Sequence, residues 1–246
     1  MNRNQFIKTS IFGTLAVSIV SNFSFISIQD RYTRNQLIGK ENPDITGDTY
    51  TSKMHKDAKV AFQEMKKEAA KDGITLEVVS AYRSFKKQKE LFENKYQQFI
   101  SEGLSPIEAI NKIIEYSTIP GTSRHHWGTD IDIIDANFPR PESVLEEEHF
   151  YGEGPYCKLK EWMNVHSEKF GFYEVYSNNP NRKGFKYEPW HFSYAPVSKP
   201  MLQEYKKLDI LKVFQEEKIL GSEYFNSDFI DIYRSQNILD INPELL

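Results

Sequence analysis

Three stretches of this 246-residue chain hold side chains whose types and spacing could perform chemistry in concert. The first runs Ser123-Arg124-His125-His126-Trp127-Gly128-Thr129-Asp130-Ile131-Asp132, and the second is Glu188-Pro189-Trp190-His191. The third is Ser80-Ala81-Tyr82-Arg83-Ser84, with Gln88 five positions after the arginine. A catalytic zinc ion takes three protein ligands of the histidine or carboxylate type and keeps a fourth position for water. It lowers the pKa of that water to about 7, and a carboxylate alongside can take the proton as the water attacks a carbonyl. His125, Asp132 and His191 can supply such a ligand set, with Glu188 as the neighbouring carboxylate. His126 competes with His125 for the role or belongs to the surrounding groove. Asp130 either orients a ligating histidine or closes the loop with a hydrogen bond. Single histidines carry little weight, because metal sites are argued from sets, and His55, His149 and His166 are set aside on that ground.

The elements around these stretches must bring them together. Residues 128–134 read as a strand, so Asp130 and Asp132 face one way while Thr129, Ile131 and Ile133 face the other. Two carboxylates opposite an isoleucine stripe must point into something polar, and a cation is the natural occupant. Glu188 lies three residues before His191, which inside a regular strand would put it on the opposite face. It must therefore sit in the bend before the strand, with Pro189 at the first strand position, where no ladder donor is needed. Elsewhere the pattern predicts a helix over 52–71 closed by Gly73, a strand over 74–80 and a helix from near Ser84. A further helix opens at Ser105-Pro106-Ile107-Glu108, a capping box with proline at the first helical position. The segment 117–126 reads as a loop, 156–170 as a helix stopped at Gly171, and 172–176 with 189–194 as a pair of strands. The tail from Pro200 is predicted helical, and the polar segment 30–51 is predicted to be a linker. Helices and short strands without regular βαβ alternation argue for an α+β domain.

Composition narrows the classes of function. Hydrophobic residues make up 39% and charged residues 27%, so the chain can bury a core. The net charge of −4 excludes a general nucleic-acid binder, which would need clustered Lys and Arg. The 14 Tyr and 17 Phe suit a groove lined with rings. Cys157 is the single cysteine, so an internal disulfide and a cysteine-based zinc knuckle are both excluded. It is expected to be a small buried apolar group, and Glu146-Glu147-Glu148 a solvated face. Residues 1–29 contain Arg3 and Lys8, no acid, and an apolar run from Ile11 to Val20, the pattern of an export signal or an uncleaved anchor. The opening resembles a twin-arginine signal whose second arginine is Asn4, and the general secretory route fits equally.

The three stretches, taken together, resemble the zinc D-alanyl-D-alanine carboxypeptidases of the VanY type (peptidase family M15, Hedgehog/DD-peptidase fold). That family carries Ser-x-His-x-x-Gly-x-x-x-Asp, then Glu-x-x-His with Trp before the histidine, and upstream Tyr-Arg-Ser with a later Gln. All three blocks occur here in order within about residues 52–196. The resemblance implies a small, mostly antiparallel sheet flanked by helices over 52–199, followed by a helical extension over 200–246. It implies that His125, Asp132 and His191 bind one Zn2+ per chain and that Glu188 is the general base. Arg83 would bind substrate near the scissile carbonyl and take part in catalysis, with Ser123 and Gln88 supporting the site as further substrate-binding residues. Arginine suits that task because its planar, always-charged fork can grip a terminal carboxylate or an oxyanion. Asp130 stands where many members have alanine, and Asp132 is kept as the ligand because its spacing from His125 matches.

The implied substrate is a peptidoglycan stem peptide, from which the terminal D-alanine is released. L,D-carboxypeptidases and cell-wall endopeptidases on the same scaffold are the enzymatic alternatives, and a metal-containing Hedgehog-like binding module is the non-enzymatic one. A pure binder has no use for Glu188. Tyr82, Trp127 and Tyr187 are expected to line the groove. The chain is expected to be an exported monomer of the periplasm or cell envelope, touching a membrane only through an uncleaved N-terminal segment.

Overall fold

The computed structural model describes residues 31–246, so the expected leader lies outside the described residues. A short helix α1 (Arg34–Leu37) and a two-residue strand β1 (Ile45–Thr46) precede β2 (Met54–His55), which pairs antiparallel with β1. Helix α2 (Lys56–Lys71) follows at once, burying Ala58, Phe62, Met65 and Ala69 along one face at helical spacing. It starts four residues later than the periodicity predicts because Met54 and His55 are engaged in the ladder with β1. Next come β3 (Leu76–Ser80), α3 (Phe85–Ser101) and α4 (Pro106–Ile113). Ser84 caps α3 by accepting from the Lys87 N–H, and Ser105 with Glu108 forms the expected capping box on α4.

Strand β4 (Asp130–Asp135) is buried over all six residues. Helix α5 (Cys157–His166) ends in a 3₁₀ turn that Gly171 closes at φ +79°, leading into β5 (Phe172–Glu174). After β6 (His191–Tyr194) the chain is helical in α6 (Ala195–Tyr205), α7 (Ile210–Glu216) and α8 (Ser227–Tyr233). The main sheet has the order β3-β4-β6-β5 and every neighbouring pair is antiparallel. This is the α+β architecture with a small antiparallel sheet that the sequence implied.

Two apolar cores hold it. One lies between a sheet face and helices α2 and α5, joining Leu76, Val78, Ile131, Ile133 and Phe192 to Met65 and Met163. The other is built mainly by α3, α4 and α6–α8. The tail is largely helical and shares this second core. Tyr233 also reaches the loop before the first motif, its hydroxyl accepting from the Ile119 N–H at 3.0 Å.

The segment 30–51, expected as a linker, packs into the body. Leu37 and Ile38 are buried in the helical core, and the Leu37 carbonyl accepts from the Trp127 indole at 3.0 Å. One helical turn carrying its own capping box, Thr33 with Gln36, is too short to show a hydrophobic period.

Candidate active site

The site is assembled by strand parity and by one tight turn. In the β4–β6 ladder Asp132 pairs with His191, Asp130 with Ser193 and Ile131 with Phe192. Residues directly opposite share a face, so Asp130, Asp132, His191 and Ser193 project together on the side away from the isoleucines. Glu188 reaches the same side through a β-turn closed by the His191 N–H donating to the Glu188 carbonyl at 3.1 Å. Pro189 is the second residue of that turn rather than the first of the strand, a position its fixed φ suits. The turn folds the carboxylate back, leaving Glu188 Oε2 2.8 Å from His191 Nδ1.

His125 lies in a 3₁₀ turn, Arg124–Trp127, that Gly128 ends at φ +69°. A Cβ on Gly128 would stand 2.2 Å from Ile45 Cδ1 and 2.8 Å from the His55 nitrogen, so both conformation and space demand glycine there. His125 Nδ1 donates to the Ala81 carbonyl at 2.8 Å, which leaves Nε2 facing Asp132 Oδ2 at 3.5 Å. The rings of His125 and His191 stack with centroids 4.7 Å apart. Ligand atoms of His125, Asp132 and His191 all lie within 4.8 Å of one another.

Arg83 is brought to this corner by its own segment. Its N–H donates to the His125 carbonyl at 3.0 Å and its carbonyl accepts from His126 Nδ1 at 2.6 Å. The guanidinium is aimed by Ser80 Oγ (3.1 Å) and Gln88 Oε1 (3.0 Å). Ser80 can serve because β3 carries a bulge: Val78 pairs with Ile133, but Ser80 pairs with Asp132. Without the extra residue Ser80 would oppose Ile131 and point into the apolar core.

Electrostatics mark the corner as a place for positive charge. Burial, joined by the charge of Glu188 and opposed by His191 and Arg83, pushes the Asp132 carboxyl up to about 6. Burial holds the His125 imidazole well below its ordinary value, helped by the charges of Arg83 and His191. Burial also works against a charged His191, yet its hydrogen bonds to Asp130 and Glu188 and the charge of Asp132 outweigh this and push it up to about 10. Asp132 Oδ1 is buried with no hydrogen-bond partner, the state of a ligand oxygen rather than of a structural one. Two imidazoles and a carboxylate suit zinc, and the residues present fit that ion.

A cavity of about 640 Å³ opens over this corner, lined by Arg83, Ser123, His125, Glu147, Tyr187 and Trp190 among others. Among the described residues, six buried side-chain atoms lack a partner, and four of them, on Arg83, Thr118, Arg124 and Asp132, belong to residues lining this cavity.

Several sequence expectations are corrected here. Gln88 is wholly buried behind Arg83, donates to the Thr118 carbonyl at 2.7 Å and does not line the cavity. It positions the arginine and is out of a substrate's reach. His126 is a buried tie, not a groove residue: it bonds the Arg83 carbonyl and accepts from the Gly121 N–H at 3.1 Å, and burial pushes its imidazole down to about 4. Tyr82 and Trp127 do not line the cavity, whereas Tyr187 does. Glu146 and Glu147 are exposed but also line it. Cys157 is half-buried, and burial with the neighbouring Glu161 pushes its thiol up. Sequence reasoning misses Arg124, although the charged pair Arg124/Asp130 inside an otherwise buried motif is an available signal.

Two imidazoles, an aspartate and a glutamate, gathered from the β4–β6 pair and the turns that lead into it beneath an open cavity, form the layout of a metal-dependent hydrolase. Residues 51–197 match the family model of the VanY D-alanyl-D-alanine carboxypeptidases, and the chain belongs to that family. It is 32% identical over 117 residues to an uncharacterised Haemophilus influenzae protein, covering 47% of this chain and 89% of that one. It is 28% identical over 130 residues to a D-alanyl-D-alanine carboxypeptidase of Enterococcus faecalis, covering 52% of this chain but only 43% of the relative. The crystal structure of a mutant of the vancomycin-resistance D,D-pentapeptidase VanY, in complex with Zn(II), shares the fold. The TM-score is 0.50 at 21% identity, covering 68% of this chain and 86% of that one. No helix among the described residues is long and apolar enough to cross a membrane.

Proposed function

We propose that this protein removes the terminal D-alanine from peptidoglycan stem peptides, with His125, Asp132 and His191 holding one zinc ion. The observation that carries the reading is the state of the three donors. Asp132 keeps a buried oxygen without a partner, His125 has Nδ1 tied off so that only Nε2 is free, and His191 turns Nδ1 toward the same corner. The Zn(II) bound by the VanY neighbour supports the choice of metal. Bound there, zinc would act as a Lewis acid and acidify a water.

The chain's own groups do the rest. Glu188 Oε2, beside His191, takes a proton from the attacking water and returns it to the leaving amine. Arg83 is held rigid by Ser80 and Gln88 and has a buried Nε–H without a partner, a donor ready for the substrate carbonyl as negative charge develops on it. Ser123 lines the same wall and offers a hydroxyl. The family model names the D-alanyl-D-alanine bond, and the L,D-specific alternative is set aside on it. A site with this substrate works outside the cytoplasm, in keeping with the expected export signal.

The test is to give the purified protein one muropeptide ending in D-Ala-D-Ala and one ending in L-Lys-D-Ala, with and without chelator, and to follow products by mass spectrometry. Chelator-sensitive loss of one alanine from the first substrate is expected. Cleavage of the second alone, or of neither, overturns the assignment.

A further inference from the structure

We propose that Arg124 and Asp130 are a positioning pair that locks the imidazole of His191 into the one tautomer and orientation presenting Nδ1 to the metal. The inference rests on His191 being a metal ligand and does not depend on which peptide is cut.

Asp130 is wholly buried and each of its oxygens is filled. Oδ1 accepts from the Thr129 hydroxyl at 2.8 Å and the Ser193 hydroxyl at 2.5 Å. Oδ2 accepts from Arg124 Nε at 3.0 Å and lies 3.0 Å from His191 Nε2. A carboxylate surrounded in this way, with a guanidinium among its partners, can only accept. Nδ1 also faces a carboxylate, Glu188 Oε2 at 2.8 Å, but Glu188 sits at the cavity and only Asp130 is fixed on every side. Once a cation takes the Nδ1 lone pair, the hydrogen of the neutral imidazole sits on Nε2. The same saturation removes Asp130 from the ligand set, since it has no oxygen left for a metal, whereas Asp132 on the same face has one.

Arg124 is what makes a carboxylate tolerable at this depth. It is 5% exposed, donates a second bond to Ser193 Oγ at 2.8 Å, and lies over the Trp127 ring with Cζ 5.0 Å from the centroid. The guanidinium thus joins the 3₁₀ turn that bears His125 to the strand that bears His191. The two ligand histidines are oriented by different means, His125 by a backbone carbonyl and His191 by a charged side chain that a substitution can remove. An ionised acceptor behind a ligating imidazole fixes its ring and raises its basicity, and removing such a partner costs about 10- to 100-fold in metal affinity.

The experiment measures zinc affinity of the full chain by competition with a chelating dye, alongside the ¹⁵N shifts of the His191 ring in the zinc-loaded protein. Asp130→Asn and Arg124→Gln are each expected to weaken zinc by about 10- to 100-fold. The double substitution is expected to be little worse than either single one, because the two act as a unit. In the unaltered protein the ring should show a protonated Nε2 and a metal-bound Nδ1. An affinity within about twofold of the starting protein in a normally folded Asp130→Asn, additive losses in the double variant, or a metal-bound Nε2 would each overturn the proposal. Should Asp130→Asn fail to fold, Ser193→Ala loosens the same pair while keeping both charges. A several-fold weaker zinc affinity is then expected, and an unchanged one overturns the pair's role. These readings need no substrate. A protein that binds zinc as described but cleaves no muropeptide would end the carboxypeptidase reading and leave this one standing.

Discussion

The two faces of β4 are equally closed to water and handle it in opposite ways. On one, Ile131 and Ile133 meet Phe192 and Val78 in a continuous apolar core. On the other, Asp130 and Asp132 meet Ser193 and His191, all nearly inaccessible. The apolar face stabilises the fold in proportion to the area it removes from water, at about 25 cal/mol per Å². The polar face has no such return. Its charges are bearable where donors and acceptors match, as around Asp130, and costly where they do not, as at Asp132 Oδ1. The contrast shows where the strand serves stability and where stability is given up for a cation.

Substitutions on either side can break or sharpen that contrast. The largest effect is expected at the turn beside the polar face, where Glu188→Gln should keep zinc, measured by metal analysis, yet lower kcat by about 10²- to 10⁴-fold. Near-normal turnover would remove it as the base. On the apolar face, Ile133→Ala should cost about 2–5 kcal/mol in denaturant unfolding while native-state zinc affinity stays the same. A matching loss of zinc binding would mean that the faces are not separable.

Asp132 should behave in the opposite sense. Its carboxyl titrates at about 6 in the metal-free fold, above its ordinary 3.8, so the stability tied to its protonated form is present below pH 4 and is lost as pH rises through about 6. Compared without metal, the protein and its Asp132→Asn variant should match in stability below about pH 4, separate as pH rises from about 4 to about 6, and keep that gap above it, with the natural aspartate the less stable. Zinc should reverse the order. For the same reason zinc affinity should fall as pH drops below about 10, where a proton competes for His191, and more steeply through about 6, where a second proton competes for Asp132. Parallel stability curves would show that Asp132 carries no such penalty. The smallest effect is expected at the start of α3, where Ser84→Ala removes the cap beside Arg83 and should cost about 1 kcal/mol by thermal unfolding.

Legibility in the sequence follows the range of the interaction. The parity that sets Asp130 and Asp132 against the isoleucines is local and reads directly, as does the capping box at Ser105 and Glu108. The need for Glu188 to leave the strand also follows from counting residues, although its means, a turn around Pro189, comes from the structure. The bulge at β3 does not read, because Val79 looks like any strand residue until its partner strand is known. The docking of 31–51 is hidden for a similar reason: a single turn and two buried residues leave no period. His126 and Gln88 read as groove or substrate residues because they border the motifs, and only packing shows that both face inward to hold Arg83.

What the sequence determined by itself is the chemistry on offer: the donor types, their spacing along each strand, and the strand face each occupies. These depend on covalent order and on the two-residue repeat of an extended chain. What the tertiary structure alone decided is which donors are left open. His125 and Asp132 are seven residues apart and His191 lies far downstream, so their convergence depends on the β4–β6 register. That register also fills every lone pair of one aspartate while leaving an oxygen of the other bare. Hydrogen-bond saturation depends on neighbours distant in the chain, and no local pattern encodes it.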